Sequence, residues 1–243
     1  MTFSPAPPRA PHAMATAVIL ALVAASPPAN AQPPDPALMA RLATFAAQFE
    51  NLRSHGSYNL EGRLEMLDGE GKPTSVKAMT ARVDGGPEHS TLTVVKYTED
   101  GKDKTEEAQK EARESAAKNK PGKHRLMMPL QADQQPRYDF EQVEVDTADP
   151  SRVRIAFTPR KRAEDTIEGS AWVDGRTGSL ISASFKLSKT PLFIDYVHFV
   201  VKFDAASPLG PAPSDVAVDG GGGFLFLRKH FHAVATLSGY RLP

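Results

Sequence analysis

Apolar residues recur at helical spacing soon after position 35. Leu38, Leu42, Phe45, Phe49 and Leu52 share one stripe of a helix predicted over 36–54. Asp35 is placed to cap it, Pro36 occupies its first turn and Gly56 ends it. A helix with a single apolar stripe must bury it, most simply against a sheet face. From Ser57 the period drops to two. Tyr58, Leu60, Leu64 and Met66 alternate with Asn59, Glu61, Arg63 and Glu65, the pattern of a half-buried strand. A turn at 68–73 leads to a returning strand at 75–83, and a second turn at 84–87 to a β-branched strand at 90–97. The economical reading is a meander of antiparallel strands.

The pattern breaks at 99–125, where hydrophobics other than Ala almost vanish. Glu106 with Lys110 and Glu114 with Lys118 form favourable pairs four apart, and acidic residues precede basic ones as a helix dipole prefers. No apolar stripe is present to dock this segment, so it reads as a solvated helix or a disordered excursion, the alternative being a charged arm for a partner. Strand composition then returns at 138–145, 152–158, 169–174, 180–186, 194–204 and 224–237, with punctuation at 149–150, 174–178, 207–213 and the Gly220–Gly223 run. No internal repeat is present. Nothing alternates as strand, helix, strand, so the fold class is α+β, an antiparallel sheet with helices on one face.

Residues 1–31 stand apart. Arg9 is the only charge before an apolar run at 13–25, which is shorter than the roughly 20 residues a membrane span needs. Ala29 and Ala31 then occupy the small-residue positions of a cleavage site. The segment is expected to be a signal peptide cut after Ala31, leaving one domain over 32–243 that is periplasmic or secreted, with no transmembrane anchor.

Composition narrows the chemistry. The chain has 243 residues, 29 basic and 29 acidic, and no cysteine. That length supports a core without staples. The missing cysteine excludes disulfides, thiolate nucleophiles, Cys-ligated zinc and a lipidated N-terminal cysteine. Balanced charge argues against nucleic acid as a partner. His230 and His232, two apart in a strand, would point to one face and could share a metal with a distant His198, but Arg228 and Lys229 beside them disfavour a cation. Gly220–Gly223 lacks the Lys-Ser/Thr of a phosphate loop and reads as a flexible turn. Asp165 and Glu168, near Arg160-Lys161-Arg162, read as loop charges rather than an acid–base pair. No catalytic residue, cofactor or metal is expected. In the strand at 194–204, Phe193, Val197, Phe199, Val201 and Phe203 share one face, while Ile194, Tyr196 and Val200 make the other apolar too. Such a strand is either covered twice or lines a cavity on one side.

The stretch from about 138 to 242 resembles the LolA/LolB-like lipoprotein-carrier superfamily. The resemblance is carried by RIAFTPRK at 154–161, IEGSAWVDGRTGSLISASF at 167–185, SKTPLFIDYVHFVVKFD at 188–204 and GGFLFLRKHFHAVATLSGYRL at 222–242. Within the second piece, Gly169, Val173, Asp174, Thr177 and Gly178 match a strand that turns through Thr-Gly into its neighbour. The resemblance implies an incomplete β-barrel, a curved antiparallel sheet with helices across its open side. It also implies a non-enzymatic carrier that holds lipoprotein acyl chains or another apolar ligand between sheet and helix. Leu42, Phe45 and Phe49 of the helix, and Val197, Phe199 and Val201 of the sheet, are the expected ligand-binding residues. The alternative is an envelope structural or protein-interaction module that shares only the scaffold.

Overall fold

The computed structural model describes residues 32–86, 90–118, 128–224 and 227–243; the leader read over 1–31 lies outside them. The predicted first helix forms as α1 (Pro36–His55). Asp35 Oδ1 accepts the Ala37 N–H at 3.0 Å, Pro36 needs no partner for a missing donor, and the Gly56 N–H closes on Leu52 O at 2.7 Å. Gly56 is extended, not left-handed. A Cβ there would lie 2.5 Å from Leu52 O, so close approach of backbone requires the glycine.

The remaining elements are β1 (Ser57–Leu67), β2 (Pro73–Asp84), β3 (Thr91–Glu99), β4 (Lys102–Asp103), α2 (Thr105–Lys118), β5 (Tyr138–Val145), β6 (Arg152–Pro159), β7 (Ile167–Asp174), β8 (Leu180–Leu187), β9 (Ile194–Lys202), β10 (Ala205–Ser207), β11 (Gly210–Ala212), β12 (Asp215–Phe224) and β13 (Leu227–Arg241). Eleven strands form one sheet in the order β4-β3-β2-β1-β13-β12-β9-β8-β7-β6-β5, and β10 and β11 form a small hairpin. The long pairing of β1 with β13 welds the N-terminal meander to the C-terminal one. The described pairings are antiparallel, and β4 and β5 end the sheet without meeting. The fold is therefore mostly sheet, open and unclosed as an incomplete barrel is, with two α-helices among the described residues.

α1 lies on one face of this sheet, called the inner face below. Its Leu38, Leu42, Phe45 and Ala46 enter a core with Val153, Ile155 and Phe157 of β6, Ala171 and Val173 of β7, Leu180 and Ala183 of β8, and Val201 and Phe203 near the end of β9. Farther along α1, Leu52 joins Tyr240 and Ala212 in a second cluster. Tyr240 donates its hydroxyl to Pro213 O at 2.8 Å, and burial pushes that phenol far above its ordinary pKa. The helix thus crosses the sheet at one end, from the β7–β8 turn, where Arg41 Nη2 reaches Gly175 O at 2.8 Å, to the end of β2, where the Gly85 N–H donates to Gly56 O at 2.7 Å.

Three sequence expectations change. The Gly220–Gly223 run is not a turn but lies within β12, paired on both sides. Its glycines make room for neighbours: Phe231 occupies the space a Gly220 Cβ would take, and Tyr196 and His230 crowd Gly221. Second, β9 is not covered twice. Val197 and Val201 are buried, whereas Ile194, Tyr196 and Val200 on the opposite face are 36–43% exposed. Third, among the described residues the charged stretch is helical over Thr105–Lys118, and α2 does dock. Half-buried Ala108, Gln109 and Ala112 face β3, and Gln109 Nε2 donates to Val94 O at 2.9 Å. Thr105 Oγ1 also accepts the Tyr97 N–H at 3.0 Å, so small side chains and a few hydrogen bonds to β3 replace the apolar stripe that helix docking normally needs.

Candidate functional site

Among the described residues the core between α1 and the sheet is not filled. A cavity of about 310 Å³ remains, at the lower end of the ~300–1,000 Å³ span of ligand sites. Phe49 of α1, Phe185 of β8, Val201 and Phe203 of the β9 run, Val216 of β12 and Leu237 of β13 are among its walls, with Met128–Leu130 closing another side. The hollow has a local cause. Phe45 and Phe49 both meet Phe203 edge-on, at 6.3 and 6.2 Å between ring centres, which props the helix above the sheet. Beneath it, β7 and β8 contribute the small side chains of Ala171 and Ala183 beside Ile167, Leu180 and Phe185. The polar groups in the walls are Glu50, Arg53 and Gln131. Arg53 donates to both Glu50 carboxylate oxygens, at 3.0 and 2.7 Å, and that bonding raises the guanidinium pKa further. The pair presents a locally neutralised charge at an otherwise apolar wall.

Two of the six predicted ligand residues, Phe49 and Val201, line this cavity. Leu42 and Phe45 lie in the packed part of the same core. Phe199 stacks on the cavity residue Phe185, 5.0 Å between centres and 12° from parallel. Val197 is buried one step farther along β9. Sequence reading missed Phe185, Leu180 and Ala183 of β8 and the segment at 128–131. The β8 residues carried a signal, since Leu180, Ala183 and Phe185 sit in a strand already recognised. A bulge between Trp172/Val173 and their partners shifts that alternation by one residue and obscures which face it belongs to.

The apolar surface continues beyond α1. Val216, Val218, Ala233, Ala235, Leu60 and Leu64 are neighbours by strand register, and together with Met79 and Tyr97 they line a groove of about 340 Å³ on the inner face. Val216 belongs to both spaces. Gly62, between Leu60 and Leu64, leaves the floor low. On the opposite face a groove of about 450 Å³ has polar walls, including Glu61, Arg63, Thr80 and Lys96. An apolar ligand is matched by the inner face and not by the outer one.

The histidines are held apart by separate partners. His232 Nδ1 meets Asp219 Oδ1 at 2.7 Å, His198 Nε2 meets Ser184 Oγ at 2.9 Å, and His230 lies beside the Tyr196 hydroxyl at 3.5 Å. Among the described residues no group of three or more His, Asp or Glu side chains could hold a metal ion. Asp165 accepts from Arg137 at 2.9 and 3.1 Å, while Glu168 faces Arg162 and Lys186. The two carboxylates are engaged separately in ion pairs.

No protein-family model matches the chain, and no curated protein does. Among solved structures it is similar to that of a LolA superfamily protein from Nitrosomonas europaea, at 10% identity and a TM-score of 0.41, over 82% of this chain and 92% of that one. A complex of MucA and MucB from Pseudomonas aeruginosa aligns at 12% identity and a TM-score of 0.22, over 83% of this chain and 98% of that one. Among the described residues no helix is long and apolar enough to cross a membrane.

Proposed function

We propose that the protein is an exported carrier that holds an acyl chain, or an apolar ligand of similar shape, between α1 and the sheet. The observation that carries this reading is the unfilled cavity of about 310 Å³ with aromatic and aliphatic walls. A protein core is normally packed to crystal-like density. The inner-face groove of about 340 Å³, which shares Val216, extends the apolar path for an elongated guest. Each methylene transferred from water into such a site contributes about 0.8 kcal/mol, so a chain of about ten carbons binds without strong polar contacts. No reaction is assigned to the site. Export rests on the leader at 1–31, and N-terminal sequencing of the mature protein should begin at Gln32.

The carrier reading is checked by uptake of a fluorescent fatty acid, together with native mass spectrometry of protein purified from its own envelope. Wild-type protein should take up the probe at about one equivalent. Ala183→Trp places an indole inside the cavity and should abolish uptake while the protein stays folded. No uptake by wild type, or equal uptake by Ala183→Trp, would overturn the reading. A clean apo mass with a co-purifying envelope protein would instead favour the interaction-module alternative.

A further inference from the structure

The end of the sheet away from α1 carries a feature that the carrier reading does not use. In the turn between β8 and β9, Leu192 is 80% exposed and its neighbour Phe193 53% exposed. Ile194 and Tyr196 follow at 36% and 43%. Isolated apolar residues are ordinary on surfaces, but four within five positions at one hairpin tip form a patch.

The backbone holds this tip in a demanding shape. Phe193 has φ of 70°, a left-handed conformation that phenylalanine adopts only at a cost. Two hydrogen bonds and one absent side chain accommodate it. The Phe193 carbonyl accepts the Gly223 N–H at 3.0 Å, the Ile194 N–H donates to Pro191 O at 3.1 Å, and Gly222 lacks the Cβ that would lie 2.1 Å from that carbonyl. A glycine-rich strand interior thus supports an exposed Leu-Phe pair.

Basic residues surround the patch. Lys189 lies on the same turn, and the β6–β7 connection, tied to this turn by the Ser188 N–H donating to Thr166 O at 3.0 Å, brings Lys161 and Arg162. Glu164 partners Lys189, and Glu168 is shared by Arg162 and Lys186, while exposed Lys161 has no acidic partner among the described residues. The β12–β13 hairpin lies beside the tip, since Gly222 pairs with Ile194 on one side and with Lys229, which is exposed, on the other. Asp195 is the exposed acid within the tip itself.

We propose that this hairpin tip docks the protein onto an anionic lipid bilayer, with Leu192 and Phe193 entering the headgroup–acyl boundary and the surrounding lysines and arginines on the lipid phosphates. An exposed apolar tip with Lys161, Lys189 and Lys229 near it fits an interface of fluid anionic lipid. The docked tip also meets the inner face, because Val197, Phe199 and Val201 run as one apolar row along β9 from the tip to the cavity. Only this last link, a route for cargo between bilayer and cavity, rests on the carrier reading; the docking itself does not.

The test is co-sedimentation of the protein with phosphatidylcholine vesicles, with and without phosphatidylglycerol. Wild type should bind the anionic vesicles and bind the neutral ones more weakly. Leu192→Asp combined with Phe193→Asn should lower binding at least about tenfold, since two apolar anchors are removed. Asparagine accepts a left-handed backbone, so the fold should survive, as a melting curve would verify. Lys161→Glu with Lys189→Glu should erase the preference for anionic vesicles. Independently, the indole introduced by Leu192→Trp should be quenched by bromolipid while Trp172 in the wild type is not. Failure of wild type to bind either vesicle, undiminished binding by the Asp/Asn variant, or no additional quenching in the Leu192→Trp variant would each overturn the proposal. So would concentration-dependent self-association, lost in the Asp/Asn variant, with no vesicle binding, which would assign the tip to a second copy of the chain. The Asp/Asn variant should still take up the fatty-acid probe. Lost vesicle binding with retained uptake therefore separates the tip from the cavity. Vesicle binding without any uptake leaves the docking standing and removes the carrier.

Discussion

The two helices differ in how they are held. α1 buries Leu38, Leu42, Phe45, Ala46 and Leu52 against a sheet face supplied by strands from both halves of the chain. α2 buries no large side chain among its described residues and rests on β3 through Ala108, Ala112 and the hydrogen bonds of Gln109 and Thr105. Fully buried leucines and phenylalanines contribute about 1.5–3 kcal/mol each, whereas a net hydrogen bond contributes about 1 kcal/mol. α1 should therefore unfold only with the whole domain, and α2 should detach alone. The hollow lies under the strongly held helix. An apolar cavity is tolerated there because the residues around it secure its roof without the space itself being filled.

The largest expected effect comes from loosening that roof. Leu42 is fully buried, so Leu42→Ala should lower unfolding free energy by about 2–5 kcal/mol in denaturant titrations. A loss below about 1 kcal/mol would mean that α1 collapses into the cavity and closes it. Next is the anchor of α1 at the β7–β8 turn. Gly178 has φ of 76°, and a Cβ there would lie 2.6 Å from the Arg41 backbone. Gly178→Ala combines a left-handed alanine, costing about 1–2 kcal/mol, with displacement of the helix. It should lower the melting temperature and widen the cavity mouth, read as faster exchange of a bound fatty-acid probe.

Much of this contrast was legible in the residues. The stripe from Leu38 to Leu52, the Asp35-Pro36 start and the alternation from Tyr58 to Met66 predict α1 and β1 because local spacing alone determines them. The resemblance also pointed to the space beneath α1. The cavity walls were less legible, because β8 and the segment at 128–131 reach α1 only through long-range packing. β12 was concealed for a different reason. Four consecutive glycines punctuate a sequence, but in the fold their missing side chains are replaced by Phe231, Tyr196 and His230 from neighbouring strands. The docking of α2 escaped notice because alanines facing a strand edge leave no apolar periodicity.

On the α2 side the effects should be smaller. Gln109→Ala removes the bond to Val94 O and should cost about 1 kcal/mol, seen as faster amide exchange confined to α2 with little change in the global melting temperature. A matching loss of global stability would show that α2 belongs to the main cooperative unit.

The smallest effect is a response to acid at the entry to α2. Glu99 faces both Lys104 and Lys77, each at 3.2 Å, and their hydrogen bonds hold its carboxyl below the usual range. Asp103, whose Oδ1 accepts the Thr105 N–H at 2.9 Å, is also lowered, chiefly by its hydrogen bonding to Thr105. A carboxyl with a lowered folded pKa stabilises the fold above its unfolded value, near about 4, and that contribution is lost as pH falls through the folded value. The anchoring of α2 should thus be intact at neutral pH and weaken below about pH 4, ahead of α1. Carbon chemical shifts of Ala108 and Ala112, followed as pH falls from neutral, would report the loss of helix there while Ala46 in α1 stays helical. Because both carboxyls are solvent-facing, high salt at neutral pH should weaken the Glu99 ion pairs as well, and leave the Asp103 cap in place. Simultaneous loss of helix at Ala46 and Ala112 would show that the two helices share one cooperative unit, and the contrast between them would fail.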